Sequence, residues 1–227
     1  MQHRDISVII PAFNEETNIK SSIDSAKQLN PLEIIVADGG SIDRTCELAE
    51  DAGARLVKSP KGRGAQMNAG ASLAKGEILL FLHADSRLPL IDYESAFGRE
   101  TKDYAGGFFK LKFDDTSIST KLVELFANVR SRLFSLPYGD KAIFLKRDVF
   151  EKIGGFKEYP FLEDIDMAIR LRRLYRLKYM PYNVTASARR LKKGYPLSPV
   201  AVSFKNVFIA ALFLLGVSPN KLIHLYR

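Results

Sequence analysis

Val8-Ile9-Ile10-Pro11-Ala12-Phe13-Asn14-Glu15 is an apolar run that breaks off at a carboxylate, and the chain repeats this device twice. Ile34-Ile35-Val36-Ala37-Asp38 is the second run and Ile78-Leu79-Leu80-Phe81-Leu82-His83-Ala84-Asp85 the third. Runs of β-branched and aromatic residues that are apolar on both faces belong to central strands of a parallel sheet. In open α/β sheets, ligands bind in the crevice beyond the carboxyl ends of the strands. Acids at three such ends therefore point toward one site, suited to a metal ion or to a ribose and base.

Between the runs the pattern turns helical. Ile19, Ile23, Ala26 and Leu29 recur at helical spacing after an acidic start at Glu15-Glu16, until Asn30-Pro31 stops them. Thr45, Leu48 and Ala49 mark a second helix closed by Gly53, and Ala54-Arg55-Leu56-Val57 a short strand. Gly62-Arg63-Gly64 reads as a loop and residues 65–75 as a small-residue helix ending at Gly76. Right-handed crossovers would assemble this β-α-β-α-β-α-β series into a parallel sheet. Further on, residues 106–113 alternate like a half-exposed strand. Ile118, Leu122, Leu125, Phe126, Val129 and Leu133 form a helical stripe that Pro137 ends. Residues 139–145 read as another strand, 147–153 as a short helix, and a further helix begins near Glu163.

A chain of 227 residues with 46% hydrophobic and 26% charged residues has the size and composition of an ordinary globular domain. Its single cysteine, Cys46, excludes an internal disulfide and argues against a structural zinc site. The opening Met1-Gln2-His3-Arg4-Asp5 lacks the pattern of a signal peptide, so a cytoplasmic location is the expectation. The net charge of +8 is unevenly placed: Asp166 is the last acid, and twelve basic residues follow it. Residues 1–166 therefore carry −4 and residues 167–227 carry +12. Such segregation suits an anionic partner, although a solvated basic helix face would account for residues 170–176. Residues 200–217 are apolar, but the uninterrupted stretch 207–215 falls short of the about 20 residues that span a bilayer. Beside a basic cluster such a helix is suited to a membrane interface. Packing on the sheet or on a second subunit is its other use.

Several ordered motifs carry a resemblance. The run ending at Glu15, the stretch Asp38-Gly39-Gly40-Ser41-Ile42-Asp43-Arg44-Thr45, Gly64-Ala65-Gln66-Met67-Asn68-Ala69-Gly70, Phe81-Leu82-His83-Ala84-Asp85 and Glu163-Asp164 together resemble the family-2 glycosyltransferases. The resemblance implies an α/β fold of GT-A type, with a Rossmann-like, mostly parallel central sheet flanked by helices and a C-terminal helical segment. It implies a domain over residues 1–195, with a nucleotide-binding half at 1–90 and an acceptor half at 91–195, followed by the basic, apolar segment 196–227. The implied activity is that of an inverting, hexosyltransferase-type enzyme using a nucleotide-sugar, UDP-linked by expectation, with Mn²⁺ or Mg²⁺.

The implied roles fall on particular residues. Pro11, Ala12, Phe13, Glu15 and Gly40 line the donor pocket, and Asp38 meets the nucleotide base. Asp38 also stands where a helix cap is needed, and for Asp43 capping is the preferred reading. Arg63 and Asn68 are expected donor contacts, unless the loop with Lys61 is merely solvated. His83-Ala84-Asp85 replaces the family's Asp-x-Asp, so Asp85 is left to hold the metal. His83 is then either a second ligand or a hydrogen-bonded structural residue, with Ala84 on the donor side. Asp164 corresponds to the base that takes the acceptor's proton and Glu163 to its support, although two acids also suit a helix N-terminus. Gly139 and Asp140 fall on the acceptor side, Asp140 as a second acid or a turn residue. Arg189 and Arg190 match the diphosphate leaving group. Met67 breaks the dinucleotide fingerprint, and no P-loop exists. The Q-x-x-R-W motif of processive relatives is also missing, which favours transfer of a single sugar. The acceptor expected from the basic C-terminus is a hydroxyl or phosphate borne on a lipid at the inner membrane surface, where the protein would be peripheral. Nucleic acid is not an expected partner. A catalytically weak nucleotide-sugar-binding protein is the alternative that His83 leaves open.

Overall fold

A computed structural model describes residues 5–91, 97, 103–137, 139–192 and 199–226. Strands β1 (Ile6–Ala12), β2 (Glu33–Asp38), β3 (Arg55–Lys58) and β4 (Ile78–Phe81) pair in parallel in the order β3-β2-β1-β4. Helices α1 (Ile19–Lys27), α2 (Thr45–Asp51) and α3 (Arg63–Leu73) make the crossovers. Beyond β4 the sheet continues with β7 (Ile143–Lys146), β6 (Gly106–Phe113), β8 (Leu177–Ala186) and β5 (Ser86–Arg87). β6 and β8 are parallel, whereas β4–β7, β6–β7 and β5–β8 are antiparallel. The expected α/β architecture with a mostly parallel sheet is present.

β1 shows why the decisive run is apolar throughout. Val8, Ile10 and Ala12 enter one apolar layer with Ile19, Ile23 and Ala26 of α1, and Ile9 enters the other with Met67 and Ala71 of α3. The side chains alternate, yet both faces are covered, so every residue of the strand is buried. Seating α3 requires Gly70, because a Cβ there would lie 2.5 Å from Ile9 Cγ2. Pro11 is tolerated inside a central strand for a local reason. Ala12 C=O accepts from Gly39 N–H at 3.0 Å on the β2 side, and Ile9 C=O from Leu82 N–H at 2.9 Å on the β4 side. Pro11 faces the β4 side as Ile9 does, past the last pairing of Ile9 with Phe81, so its missing N–H breaks no ladder bond.

Three boundaries differ from the sequence reading. The third run leaves the sheet at Phe81 instead of reaching Asp85, because its other neighbour β7 begins only after Ala142, whose φ is 47°. His83-Ala84-Asp85 thus occupies a turn, with Ser86 N–H donating to His83 C=O at 2.9 Å. Residues 139–145 are not one strand: Gly139–Lys141 is a 3-10 turn ahead of β7. The helix expected from residue 65 starts at Arg63, since Gly62 supplies the φ of 144° that the N-cap takes. β8 was not expected at all. Its pairing with β6 shifts register between Phe109 and Lys110, with Met180 and Asn183 as the flanking partners, so Pro181 and Tyr182 form a bulge.

The remaining helices are α4 (Ile118–Phe134), α5 (Arg147–Lys152), α6 (Glu163–Leu174), α7 (Arg189–Lys192), α8 (Pro199–Leu214) and α9 (Pro219–Tyr226). α8 packs on both α4 and α9. The expected boundary at residue 195 falls among 193–198, outside the described residues. No described helix is long and apolar enough to cross a membrane.

Candidate active site

β1 and β2 deliver their ends side by side, Ala12 opposite Asp38. Gln66 of α3, which the sequence did not single out as a site residue, locks these ends together. Its Nε2 donates to Ala12 C=O at 2.6 Å and to Ala37 C=O at 2.9 Å. After β1 the chain turns left-handed at Asn14, with φ 53°. Asn14 Oδ1 accepts from Ile42 N–H at 3.0 Å, and Asn14 N–H donates to Ser41 Oγ at 2.9 Å, so the two strand-end turns hold each other. Asp38 is buried and shapes its own turn, its carboxylate accepting from Gly40 N–H at 2.9 Å and from Ser41 N–H at 3.1 Å. Lone pairs remain on those oxygens. Asp43 accepts from Thr45 N–H at 3.0 Å and Glu16 N–H at 3.2 Å, which is a capping role. Phe13 lies beneath Lys61, whose Nζ is 3.8 Å from the ring centroid. Asn68 is turned elsewhere: its side chain donates to Phe156 C=O and accepts from Phe156 N–H, both at 2.9 Å. It fastens α3 to the loop before α6.

Arg189, the first residue of α7, joins two of the strand-end acids. Its Nη2 donates to Glu15 Oε1 and, at 3.2 Å, to Asp85 Oδ2. Both carboxylate side chains are only 8% exposed, so they need a counter-charge, and the guanidinium supplies it. Glu15 is thus half of a carboxylate pair, more than the pocket wall expected of it. Arg189, expected at the diphosphate, is committed to this pair. Arg190 follows it on α7, with its side chain outside the described set. Burial raises the Asp85 carboxyl above its ordinary value and Glu15 adds to that, while Arg189 and Arg63 pull it down. His83 is buried in the turn, where desolvation and the charge of Arg63 lower its pKa to about 3. The imidazole is therefore neutral at any physiological pH.

Arg63 stands between the two halves of the site. Its Nη1 is 3.8 Å from Glu163 Oε1, and its charge acts on His83, Asp85 and Asp140 alike. Glu163 and Asp164 form the first turn of α6, with Asp164 Oδ1 accepting from Ile165 N–H at 2.7 Å. Asp140 lies in the 3-10 turn after Gly139. Burial raises its carboxyl, Lys141 pulls it down, and Asp164 pushes it up again. Its Oδ1 is buried with no hydrogen-bond partner among the described residues. Lys141 beside it is fully buried, its pKa lowered to about 8 by desolvation, and its Nζ donates to Asn128 Oδ1 at 2.6 Å. Three non-glycine residues with positive φ adjoin these groups: Asn14 before Glu15, Ala142 after Lys141 and Leu162 before Glu163. For Ala142 and Leu162 that conformation costs roughly 1–2 kcal/mol each. Packing supports Leu162, which lies against the cluster of Phe161, Ile209 and Leu222 built with α8 and α9.

Among the described residues no group of three or more His, Cys, Asp or Glu could cage a metal unaided. The donor chemistry still fits a hard divalent ion, since Glu15 and Asp85 are oxygen donors that already share one positive group. A magnesium or manganese ion here would draw its remaining ligands from water and diphosphate.

Residues 7–154 match the sequence profile described as Glycosyl transferase family 2. The Bacillus subtilis protein named "Probable glycosyltransferase YdaM" is 26% identical over 211 residues, 79% of this chain and 50% of its own. The chain thus spans half the length of that relative. A PGL/p-HBAD biosynthesis glycosyltransferase of Mycobacterium tuberculosis is 30% identical over 192 residues, covering 72% of this chain and 68% of the relative. Among solved structures, the mannosyltransferase PcManGT from Pyrobaculum calidifontis, in complex with GDP-Man and Mn²⁺, gives a TM-score of 0.66 at 18% identity, covering 99% of this chain and 68% of that one. Glucosyl-3-phosphoglycerate synthase from Mycobacterium tuberculosis, in complex with Mn²⁺, UDP and glucosyl-3-phosphoglycerate, gives 0.61 at 23% identity, covering 95% and 81%. These likenesses show the GT-A fold, and the profile match adds the lineage: the chain belongs to glycosyl transferase family 2.

Proposed function

We propose that this chain moves one sugar, with inversion, from a nucleotide-sugar to a hydroxyl or phosphate acceptor carried on a lipid. The observation that carries the reading is Arg63. It lies within 3.8 Å of Glu163 on the acceptor side and acts electrostatically on Asp85 and His83 on the donor side, so one compact site holds both. The nucleotide lies across residues 11–15, Asp38 and Gly40, in the half formed by residues 1–90, and the acceptor across Asp140 and Asp164, in the half formed by 91–195. UDP is the favoured carrier. GDP is the other candidate, since structural relatives were solved with one or the other.

Asp164 takes the proton of an acceptor hydroxyl as its oxygen attacks the anomeric carbon, while the bond to diphosphate breaks and its electron pair leaves with the diphosphate. Asp140 lies within electrostatic reach of Asp164 on the acceptor side. Arg63 keeps Glu163 in place and adds positive charge beside the leaving group. Asp85 and Glu15 would hold a divalent ion, which would supply charge neutralisation on the diphosphate. His83, neutral and buried, shapes the turn that presents Asp85. An acceptor phosphate is already ionised and needs no base, which separates the two acceptor classes.

A thermal-shift screen of UDP-, GDP- and dTDP-sugars with and without Mn²⁺ tests the reading. The cognate donor at about 100 times its Kd should add about 2.7 kcal/mol of stability. Asp164→Asn should keep that gain and lose roughly 10²–10⁴-fold in transfer to a hydroxyl. Stabilisation by no nucleotide-sugar would remove the proposal, and near-normal turnover of Asp164→Asn would remove the base assignment.

A further inference from the structure

Helix α4 is built inside out. Its buried residues are Thr120, Val123, Asn128 and Ser131, three of them polar. Asn128 makes a two-way pair with Leu111, accepting from its N–H at 2.9 Å and donating to its C=O at 2.8 Å. Ser131 Oγ donates to Leu136 C=O at 3.1 Å. The outward stripe is apolar: Ile118, Leu122, Leu125, Phe126, Val129 and Leu133 are between 41% and 79% exposed. They recur at the three- and four-residue spacing of one helix face, the face an isolated soluble domain would turn inward.

α8 packs on α4 and repeats the arrangement. Val202, Ile209 and Ala210 are buried, whereas Phe204, Val207, Phe208 and Leu214 remain 41–68% exposed. Single exposed leucines are ordinary, but two neighbouring helices with apolar outer faces make a patch that calls for a cover. The charge nearby selects the cover. Lys121 and Arg132 are exposed on α4, Lys221 is exposed on α9, and Arg172 Nη1 donates to Phe134 C=O at 3.2 Å at the end of α4. Glu124, the one acid on α4, is turned to Phe113 N–H at 3.0 Å. A second copy docked here would bring the exposed Lys121, Arg132 and Lys221 of each copy toward those of the other. An anionic surface gains from the same charge.

We infer that the outer faces of α4 and α8 form a docking surface for an anionic phospholipid bilayer. The helices lie in the interface, since no described helix is long and apolar enough to cross. The surface is coupled to the site through Phe161 and Leu162, which pack on Ile209 of α8 and Leu222 of α9 immediately before Glu163-Asp164. Docking therefore brings the acceptor side of the site to lipid head groups. This role in acceptor delivery rests on the transfer reading; the binding itself does not.

Co-sedimentation with phosphatidylcholine vesicles, with and without ~30% phosphatidylglycerol, at about 50 mM and ~500 mM salt tests the inference. The protein should partition to the anionic vesicles at low salt and at least tenfold less to neutral ones. Phe126→Glu with Phe208→Glu should weaken partitioning at least tenfold while leaving the melting temperature and any nucleotide-sugar shift unchanged. Lys121→Glu and Lys221→Glu should each cost about fivefold or more. No binding to anionic vesicles at low salt would overturn the inference, as would double-Phe variants that bind like the parent. A dimer in sedimentation velocity that the double-Phe variant dissociates would assign the face to a second copy and overturn it equally. Vesicle binding without any nucleotide-sugar shift would support docking while refuting the transfer reading.

Discussion

Replacing Arg189 by Met removes the guanidinium that bridges Glu15 and Asp85. Breaking a fully buried pair by deleting one partner costs 3–5 kcal/mol, whereas exposed pairs contribute no more than about 1 kcal/mol. Arg189 is 30% exposed and its two partners 8%, which puts the loss between those limits, at about 2–3 kcal/mol. In a chain of this size each kcal/mol moves the midpoint by roughly 2–4 °C, so Arg189→Met should melt about 4–12 °C below the parent in EDTA. The two carboxylates then lose the guanidinium they share, and a divalent ion can take its place. Mn²⁺ at about 100 times its Kd contributes about 2.7 kcal/mol and would restore most of the loss. In the parent an ion would have to share Asp85 and Glu15 with the guanidinium, so its Mn²⁺-dependent gain should be smaller than the variant's. Differential scanning fluorimetry of both proteins in EDTA and across a Mn²⁺ titration reads all four quantities. A variant as stable as the parent in EDTA, or one gaining no more than the parent from Mn²⁺, would show that Arg189 is not standing in a cation site.

Lys141→Met tests the buried ammonium. The folded pKa is lowered from 10.5 to about 8, so between those values the unfolded chain holds more protons than the folded one and stability rises with pH. The parent should gain up to roughly 3 kcal/mol from this group as pH climbs through that window, and the gain should be absent in the variant. Urea midpoints at pH 7 and pH 9.5 compare them, and parallel profiles would discard the assignment. Gly70→Ala places a Cβ 2.5 Å from Ile9 Cγ2 in the central strand. Overpacking of about 1–3 kcal/mol should outweigh the helix-propensity gain of about 1 kcal/mol, lowering the urea midpoint. An unchanged or higher midpoint would mean that α3 can lift from β1.

The half of the sheet that runs β3-β2-β1-β4 was legible because its cause is local. A strand buried on both faces must be apolar at every position, and the run from Val8 shows that without reference to the rest of the chain. The acids just past these strands were legible for the same reason, as were the glycines of the turns. β8 was not, because its first three residues are all half-buried and Pro181 within a bulge interrupts the alternation that follows, so neither period stands out. The length of β4 was misread because its partner β7, and not its own composition, ends the ladder at Phe81. In α4 the hydrophobic stripe was visible and correctly helical. Which way it faces was invisible, because that depends on Asn128 finding the backbone of Leu111 and on α8 arriving alongside.

By itself, then, the sequence determined the layered sheet, the family motifs and the end of the sheet at which the strand-end acids gather. Tertiary structure alone decided which charges face one another there. Periodicity reports a residue's environment on its own element and says nothing of a partner 174 residues away, as Arg189 is from Glu15. Arg63 was expected at the donor, and only folding showed that its charge also reaches Glu163, 100 residues further on, as well as Asp85. A charge acts through space on whatever the fold brings within a few ångströms, so its meaning is fixed only when the chain has closed around it.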